Sequence, residues 1–185
     1  FDGGVAGACI AFAGLEAEGA LEAYELEVEA DRISLRARSR LGFLNAAQTL
    51  RQLLPIGCES GAEPLESGAA RAALLITDQP RFAWRGLLVD VARHWFPLED
   101  LQRLVDVMAL HKLNCLHWHL CDDQGWRLEI DGWSRLTTVG AVRDESPLRD
   151  ARLEGDGVPY RGHYSQDDAR QLVAYAAARG IEVVP

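Results

Sequence analysis

The sequence predicts an α/β protein in which a parallel sheet follows a small α+β unit. Residues 24–38 alternate apolar and polar side chains, which is the period of strands with one exposed face. Residues 86–91 instead form a short, nearly continuous apolar run, as a strand buried on both faces requires. Strands and helices then alternate to the end of the sequence, and right-handed crossovers make that order a parallel sheet.

The first unit combines strand and helix patterns. A helix is expected after Gly42, because apolar residues recur there at helical spacing until Pro55. The predicted elements are strands over residues 24–30, 33–38 and 73–80, a helix over 43–54, and a loop over 57–71. Two strands, one helix and a final strand amount to part of a small α+β domain.

The second unit reads as βαβαβ. Pro97 is a favourable residue at a helix start, and Ser165 with Asp168 forms a capping box at the start of a second helix that ends at Gly180. The predicted strands cover residues 86–91, 114–121 and 181–184. The 42 residues of the intervening loop, 123–164, exceed the usual two to six, and such long loops tend to be functional.

Composition excludes some classes of function. The 185 residues are 48% hydrophobic and 25% charged, enough to bury a core, and the net charge of −9 disfavours nucleic acid as a partner. No stretch of about 18 apolar residues occurs, so we expect no membrane span. No export signal precedes the first unit, and we expect the N-terminus of the protein to be missing from this sequence.

The four cysteines do not suggest a disulfide framework. Cys115 and Cys121 fall in one predicted strand, where six residues separate them by about 20 Å. A disulfide between Cys9 and Cys58 is left open, and four free thiols are the preferred interpretation. Neither CxxC nor Cys/His spacing argues for zinc.

Chemistry-bearing side chains follow the first two strands of the second unit, where parallel sheets place their sites. Asp122 and Asp123 suit acid/base work or the orientation of a histidine, although adjacent aspartates are also common turn caps. Arg93 offers a planar fork for sugar hydroxyls or a carboxylate, or a salt bridge to Asp90 or Asp122. Trp126, in the loop after the second strand, is the best candidate for an aromatic wall of a site.

His117 and His119 give the main alternative. At i and i+2 they share one face of a strand, and with Asp122 they would make a metal site in a barrel hydrolase. Hydrogen-bonded core histidines are the other interpretation. No GxGxxG, P-loop, GxSxG or HExxH motif occurs, so nucleotide binding and serine hydrolysis have no support.

Three motifs together resemble a known family. They are D-x-x-R-H at residues 90–94, K-x-N-x-x-H-x-H at 112–119 and D-D-Q-G-W at 122–126. In order and spacing, residues 84–185 resemble the opening of the catalytic barrel of family 20 glycoside hydrolases, the β-N-acetylhexosaminidases. The preceding GFLNAAQTLRQLLP segment is similar to the tail of the α+β domain that comes before that barrel.

The resemblance implies a fold and its domain boundaries. Residues 1–80 would be part of the N-terminal α+β domain, and residues 81–185 the first three strands of a (β/α)8 TIM barrel. A complete barrel needs about 250 residues, so the chain is expected to be a fragment that is inactive by itself.

The resemblance also implies an activity and its residues. The reaction would be a retaining, substrate-assisted hydrolysis that releases terminal N-acetylglucosamine or N-acetylgalactosamine from oligosaccharides or glycoconjugates, without metal or cofactor. Arg93 matches the arginine that binds ring hydroxyls of the terminal sugar, and Asp122 matches a carboxylate that orients a downstream histidine. The catalytic Asp-Glu pair would lie beyond Pro185, and His117 and His119 would be structural.

Some questions stay open at this point. A metal-dependent hydrolase using His117, His119 and Asp122 and a non-catalytic sugar-binding module are the alternatives. Ala92, Trp95 and Cys121 depart from the family's frequent residues, which leaves linkage and subsite preference unassigned. Oligomeric state is unassigned as well, and the resemblance favours a periplasmic or secreted location.

Overall fold

The computed structural model describes residues 9–15, 20–54, 73–146 and 155–185. It divides into two units, Phe1–Ala83 and Trp84–Pro185, each with its own hydrophobic core. The predicted loop over 57–71, and Cys58 within it, lie outside the described residues. Cys115 and Cys121 are free thiols, as the spacing predicted.

Over its described residues, the first unit is a four-stranded mixed sheet with one helix. Its strands are β1 (Cys9–Gly14), β2 (Tyr24–Val28), β3 (Arg32–Ala37) and β4 (Leu74–Asp78), in the order β1-β3-β2-β4. Strand β1 pairs parallel with β3, and the other pairs are antiparallel. The inward residues of β2 and β3 are buried with Ala46 of helix α1 (Arg40–Leu53). Strand β1 was not predicted, because CIAFAG has small residues and no clear alternation.

Helix α1 begins earlier than the sequence indicated. Ser39 is its N-cap, and its hydroxyl accepts hydrogen bonds from the backbone N–H groups of Leu41 and Gly42. Gly42 therefore lies in the first turn rather than before the helix. A Cβ at that position would stand 2.9 Å from the Ala37 Cβ, so the glycine lets the helix approach the sheet closely.

The second unit contains the predicted parallel sheet. Strands β5 (Gly86–Asp90), β6 (Cys115–His119) and β11 (Glu182–Val184) pair in the order β11-β6-β5, and all pairs are parallel. Helices α2 (Leu98–Leu110) and α4 (Gln166–Ala177) connect them. Ser165 and Asp168 form the predicted capping box, and Gly180 takes a left-handed conformation with φ of 74°. The described residues contain no helix long and apolar enough to cross a bilayer.

The core of the second unit lies between the sheet and the two helices. Its largest member is Trp118, which packs against Tyr164 with ring centroids 4.8 Å apart. The other buried members are Val91, Leu101, Val105, Met108, Ala109, Leu116, Leu172, Ala176 and Ile181. This core fixes the strands whose carboxyl ends carry the candidate site.

The second barrel strand is shorter than predicted. It stops at His119, whose carbonyl accepts hydrogen bonds from the backbone N–H groups of Val91 and Ala92. Cys121 therefore does not share a strand with Cys115. It begins a hairpin made of β7 (Cys121–Asp122) and β8 (Gly125–Trp126), which the sequence pattern did not show.

The long loop after this strand contains further short elements. Beyond the hairpin, helix α3 (Arg135–Thr138) precedes the antiparallel pair of β9 (Val142–Arg143) and β10 (Tyr160–Arg161). Within this pair Arg143 faces Tyr160. The described residues of this loop therefore form an ordered layer at the carboxyl edge of the sheet.

Candidate active site

Arg93 lies between two carboxylates at the carboxyl edge of the sheet. Its Nη1 is 2.6 Å from Asp90 Oδ2, and its Nη2 is 3.0 Å from Asp122 Oδ2. The Arg93 backbone N–H also donates to Asp90 Oδ1 at 3.0 Å. Strands β5 and β6 are in register with Asp90 opposite His119, so the turns that follow them bring these side chains together. The structure thus contains both salt bridges that the sequence offered as alternatives.

The guanidinium of Arg93 is fixed but not enclosed. Its side chain is 51% exposed, while those of Asp90 and Asp122 are 26% and 27% exposed. The hydrogen bond that Arg93 donates to Asp90, together with the charge of Asp122, raises the pKa of Arg93. A permanently charged planar fork that is anchored on one side and open on the other is suited to bind hydroxyl groups of a ligand.

Asp122 is the most heavily bonded carboxylate of the group. Its Oδ2 is 2.9 Å from His119 Nε2, and its Oδ1 accepts the backbone N–H of Asp123 at 2.8 Å. These two hydrogen bonds and the charge of Arg93 lower the pKa of Asp122 to about 2. Burial pushes the pKa of Asp90 upward, but the hydrogen bonds and charge of Arg93 outweigh it and lower that pKa. Both carboxylates are therefore ionised at neutral pH.

The two strand histidines lie side by side, as their spacing predicted. The rings of His117 and His119 are 5.8 Å apart in an edge-to-face arrangement. Among the residues described, no group of three or more His, Cys, Asp or Glu side chains is placed to hold a metal ion. The contact of His119 with Asp122 instead makes it part of the hydrogen-bond network around Arg93.

The other candidates have more local contacts. Trp126 donates its indole N–H to the carbonyl of Leu128, and its backbone N–H bonds the Gly140 carbonyl at 2.9 Å. Its role as a wall of the site stays a prediction. Asp123 is exposed and holds Asp122 through its backbone, while the His94 ring packs edge-on against Tyr160 at 5.7 Å.

Arg127 is a buried residue that the sequence analysis missed. Its side chain is 1% exposed and donates to four backbone carbonyls, at 3.0 Å to Val91, 2.8 Å to Ala92, 3.0 Å to Ala141 and 2.9 Å to Gly162. Burial lowers its pKa. It joins the turn after β5 to the layer formed by the long loop, and so supports the backbone from which Arg93 projects.

Gly125 is required by the position of Arg127. A Cβ on Gly125 would lie 2.7 Å from Arg127 Nη2 and 3.0 Å from the Ala92 carbonyl oxygen. The only sequence signal for this arrangement is a charged residue within the otherwise apolar GWRL segment. Because arginine is almost never fully buried, that signal alone did not predict it.

Both units match known families. Residues 82–185 match the description "Glycosyl hydrolase family 20, catalytic domain", and residues 5–79 match "Glycosyl hydrolase family 20, domain 2". A β-hexosaminidase of Akkermansia muciniphila is 43% identical over 164 residues, which is 89% of this chain and 30% of that protein. The chain therefore spans less than a third of that relative's length.

Solved structures agree with the sequence matches. A crystal structure of a β-N-acetylhexosaminidase superposes with a TM-score of 0.82 at 37% identity, over 100% of this chain and 36% of the other. An exo β-N-acetylglucosaminidase of Vibrio harveyi in complex with N-acetylglucosamine superposes with a TM-score of 0.77 at 36% identity, over 95% of this chain and 26% of the other. The predicted resemblance and the predicted partial barrel are confirmed. With the catalytic-domain match covering more than half of its length, the chain belongs to glycosyl hydrolase family 20.

Proposed function

We propose that this chain is part of a β-N-acetylhexosaminidase that removes terminal, non-reducing N-acetylhexosamine from oligosaccharides or glycoconjugates. The observation that carries the proposal is the position of Arg93 at the carboxyl edge of a family 20 sheet, held by Asp90 and Asp122 at 2.6 and 3.0 Å. The N-acetylglucosamine bound to the Vibrio harveyi enzyme supports a terminal N-acetylglucosamine as one substrate.

In this proposal Arg93 binds the hydroxyl groups of the terminal sugar. Arginine has five N–H donors, and the two salt bridges engage one on each terminal nitrogen. Donors on both nitrogens remain for two neighbouring hydroxyls of a ring. Since both carboxylates stay charged, the guanidinium keeps one orientation before the sugar arrives, which lowers the entropic cost of binding it.

The reaction we propose is retaining and substrate-assisted. The 2-acetamido oxygen of the sugar attacks the anomeric carbon, and the bond to the leaving oxygen breaks as that oxygen accepts a proton from a carboxylic acid. Neither Asp90 nor Asp122 fits the acid, because both are ionised: Arg93 lowers the pKa of Asp90, and the hydrogen bonds with His119 and the Asp123 backbone, together with the charge of Arg93, lower the pKa of Asp122. We propose that an Asp-Glu pair from another part of the protein orients the acetamido group and supplies the proton.

Asp122 acts in this scheme through its charge. We propose that it orients a histidine next to the acid, as the family resemblance implies, while its contacts within this chain are Arg93, His119 and the Asp123 backbone. An ionised carboxylate has about four acceptor positions, so a further N–H donor can join these three. The same group would then connect sugar binding to proton supply.

The test is the substitution Arg93→Lys in the full-length protein. A lysine replaces the two-pronged fork with a single ammonium, so kcat/KM on a chromogenic N-acetylglucosaminide should fall by roughly 10- to 1000-fold. The matched control is Arg103→Lys on helix α2. Arg103 also pairs with an aspartate, Asp100, at 2.6 Å, but it is 76% exposed on the helix surface.

Four outcomes separate the possible functions. The proposal requires a large loss for Arg93→Lys with wild-type values for the control. An unchanged kcat/KM for Arg93→Lys contradicts the proposed role of Arg93, and a wild-type protein without turnover contradicts the activity. If a chelator abolishes wild-type turnover and zinc or manganese restores it, the metal-dependent alternative with His117, His119 and Asp122 replaces this one.

A further inference from the structure

Arg143 contacts the backbone of the proposed sugar-binding residue. It lies in strand β9, and its Nη2 donates to the Arg93 carbonyl at 2.6 Å. The same Nη2 and the Nε both donate to Ser146 Oγ, at 2.8 and 3.1 Å. Its guanidinium carbon stands 4.4 Å from the centre of the Tyr160 ring, the residue opposite it in β10. These contacts hold the whole plane of the guanidinium.

The same guanidinium reaches the segment that carries Asp122. Its Nη1 makes a longer contact of 3.5 Å with the carbonyl of Gln124, two residues after Asp122. Arg143 therefore lies between the turn after β5 and the hairpin after β6. Those two segments carry Arg93 and Asp122, whose side chains meet at 3.0 Å.

Tyr160 also holds the turn after β5. Its hydroxyl donates to the Trp95 carbonyl at 2.9 Å, and its ring is the one on which Arg143 stacks. Arg143 and Tyr160 together hold the carbonyls of residues 93 and 95. The β9–β10 pair thus fixes the backbone on both sides of His94.

We propose that Arg143 is a positioning residue for Arg93, which sets where the Arg93 guanidinium stands relative to Asp122 and therefore to the sugar. The expected effect on kinetics rests on the proposed function, whereas the expected effect on the position of Arg93 is independent of it. It differs from the role of Arg127, whose four carbonyl partners are buried backbone groups and include neither Arg93 nor the hairpin turn.

The geometry needs an arginine at this position. Its donors point in several directions within one plane, so a single side chain contacts the Arg93 carbonyl, the Gln124 carbonyl and the Ser146 hydroxyl. A lysine ammonium in the same place could keep only some of these partners. Glutamine has two N–H donors, no charge and a shorter reach, so it would lose the contact with Arg93.

The kinetic experiment compares Arg143→Gln with Arg161→Gln in the full-length protein. Arg161 is the neighbouring arginine in β10, it is exposed, and it pairs through its backbone with Val142. We expect Arg143→Gln to lower kcat/KM by about 10- to 100-fold, since a shift of about 1 Å in a binding group has effects of that size. The control should remain within about twofold of wild type.

A double variant shows whether Arg143 acts through Arg93. In the Arg93→Lys background the fork is already lost, so adding Arg143→Gln should lower kcat/KM by less than about threefold. A residue that merely stabilises the fold would lower kcat/KM by the same factor in both backgrounds. Equal factors, or no loss in the single variant, would overturn the proposal.

A crystal structure of Arg143→Gln tests the inference without activity. We expect the Arg93–Asp122 salt bridge to open beyond about 4 Å, the usual limit of an ion pair. An unchanged distance would overturn the positioning role even if activity had fallen. If Arg143→Gln does not fold, Arg143→Lys is used instead, because it keeps the charge and most of the stem. We then expect a smaller fall in kcat/KM, a smaller departure from additivity with Arg93→Lys and a smaller lengthening of the Arg93–Asp122 distance. A wild-type protein without turnover would contradict the proposed function alone.

Discussion

Arg127→Met should destabilise the second unit strongly, although it removes a charge that is costly to bury. Methionine matches much of the volume of the arginine stem but has no donor for the carbonyls of Val91, Ala92, Ala141 and Gly162. When a buried ion pair is replaced by apolar residues, both charged partners disappear, and the change is often neutral. Here the partners are backbone groups that no substitution removes. The Ala141 carbonyl keeps the backbone N–H of Gly162 at 3.3 Å, but the carbonyls of Val91, Ala92 and Gly162 lose the donor that Arg127 supplies.

The size of the effect follows from those carbonyls. An unsatisfied buried acceptor costs about 1–3 kcal/mol, and loss of the unfavourable burial of the guanidinium offsets part of the sum over the carbonyls of Val91, Ala92 and Gly162. We therefore expect a net loss of about 3–5 kcal/mol, the usual range when one partner of a buried charged contact is removed. In the full-length protein this unit would be a complete barrel of about 250 residues, for which such a loss lowers the unfolding temperature by about 6–20 °C.

The assay is thermal unfolding of the full-length protein, followed by calorimetry. Arg103→Met, on the exposed surface of α2, is the matched control and should change the midpoint by no more than about 2 °C. If Arg127→Met unfolds within about 2 °C of wild type, water or a backbone shift satisfies the carbonyls. Arg127 would then not be the residue that holds the turn after β5.

Two further predictions concern the same region. Asp122 has a folded-state pKa of about 2 against an ordinary 3.8, so the stability that its ionised form contributes is present above pH 3.8 and is lost as the pH falls toward 2. Carbon NMR of labelled aspartate should show Asp122 ionised at pH 3. A titration midpoint near 4 would contradict the network around Arg93. Gly125→Ala should lower the unfolding temperature, because the new Cβ meets Arg127 Nη2 and the Ala92 carbonyl. Gly14→Ala is the control and should leave the unfolding temperature nearly unchanged, since nothing lies within 4 Å of the new Cβ. Equal effects of the two substitutions would count against the close approach at Gly125.

The elements with strong local signals could be predicted from the sequence. The capping box at Ser165, the proline before α2 and the apolar run of β5 each depend on residues close together in the chain, and the structure has all three elements. The predicted burial of β5 on both faces is wrong for the described residues, since Leu88 is 53% exposed. The meeting of Arg93 and Asp122 was also predictable, because parallel strands bring their carboxyl ends to one edge. This long-range contact was predictable because the strand order, rather than any local pattern, brings the two residues together.

The contacts of Arg127 and Arg143 could not be predicted in this way. Arg127 bonds carbonyls 35 and 36 residues earlier, and Arg143 bonds a carbonyl 50 residues earlier. Every residue has a backbone carbonyl, so the sequence carries no mark of which one is the partner. Strand β1 was missed for a related reason, since its small residues pair through backbone groups that any sequence possesses.

The charges around Arg93 limit what this part of the barrel does in the reaction. A group that protonates a leaving oxygen near neutral pH needs a pKa raised toward that pH, which burial away from cations provides. Asp90 and Asp122 lie in the opposite environment. Hydrogen bonds with Arg93 lower the pKa of Asp90, and those with His119 and the Asp123 backbone, with the charge of Arg93, lower the pKa of Asp122. In the proposed function, the contacts that orient Arg93 for a sugar therefore also remove both carboxyls as proton donors. Under that proposal, binding and proton donation belong to different carboxyl groups, and we assign the residues around Arg93 to binding.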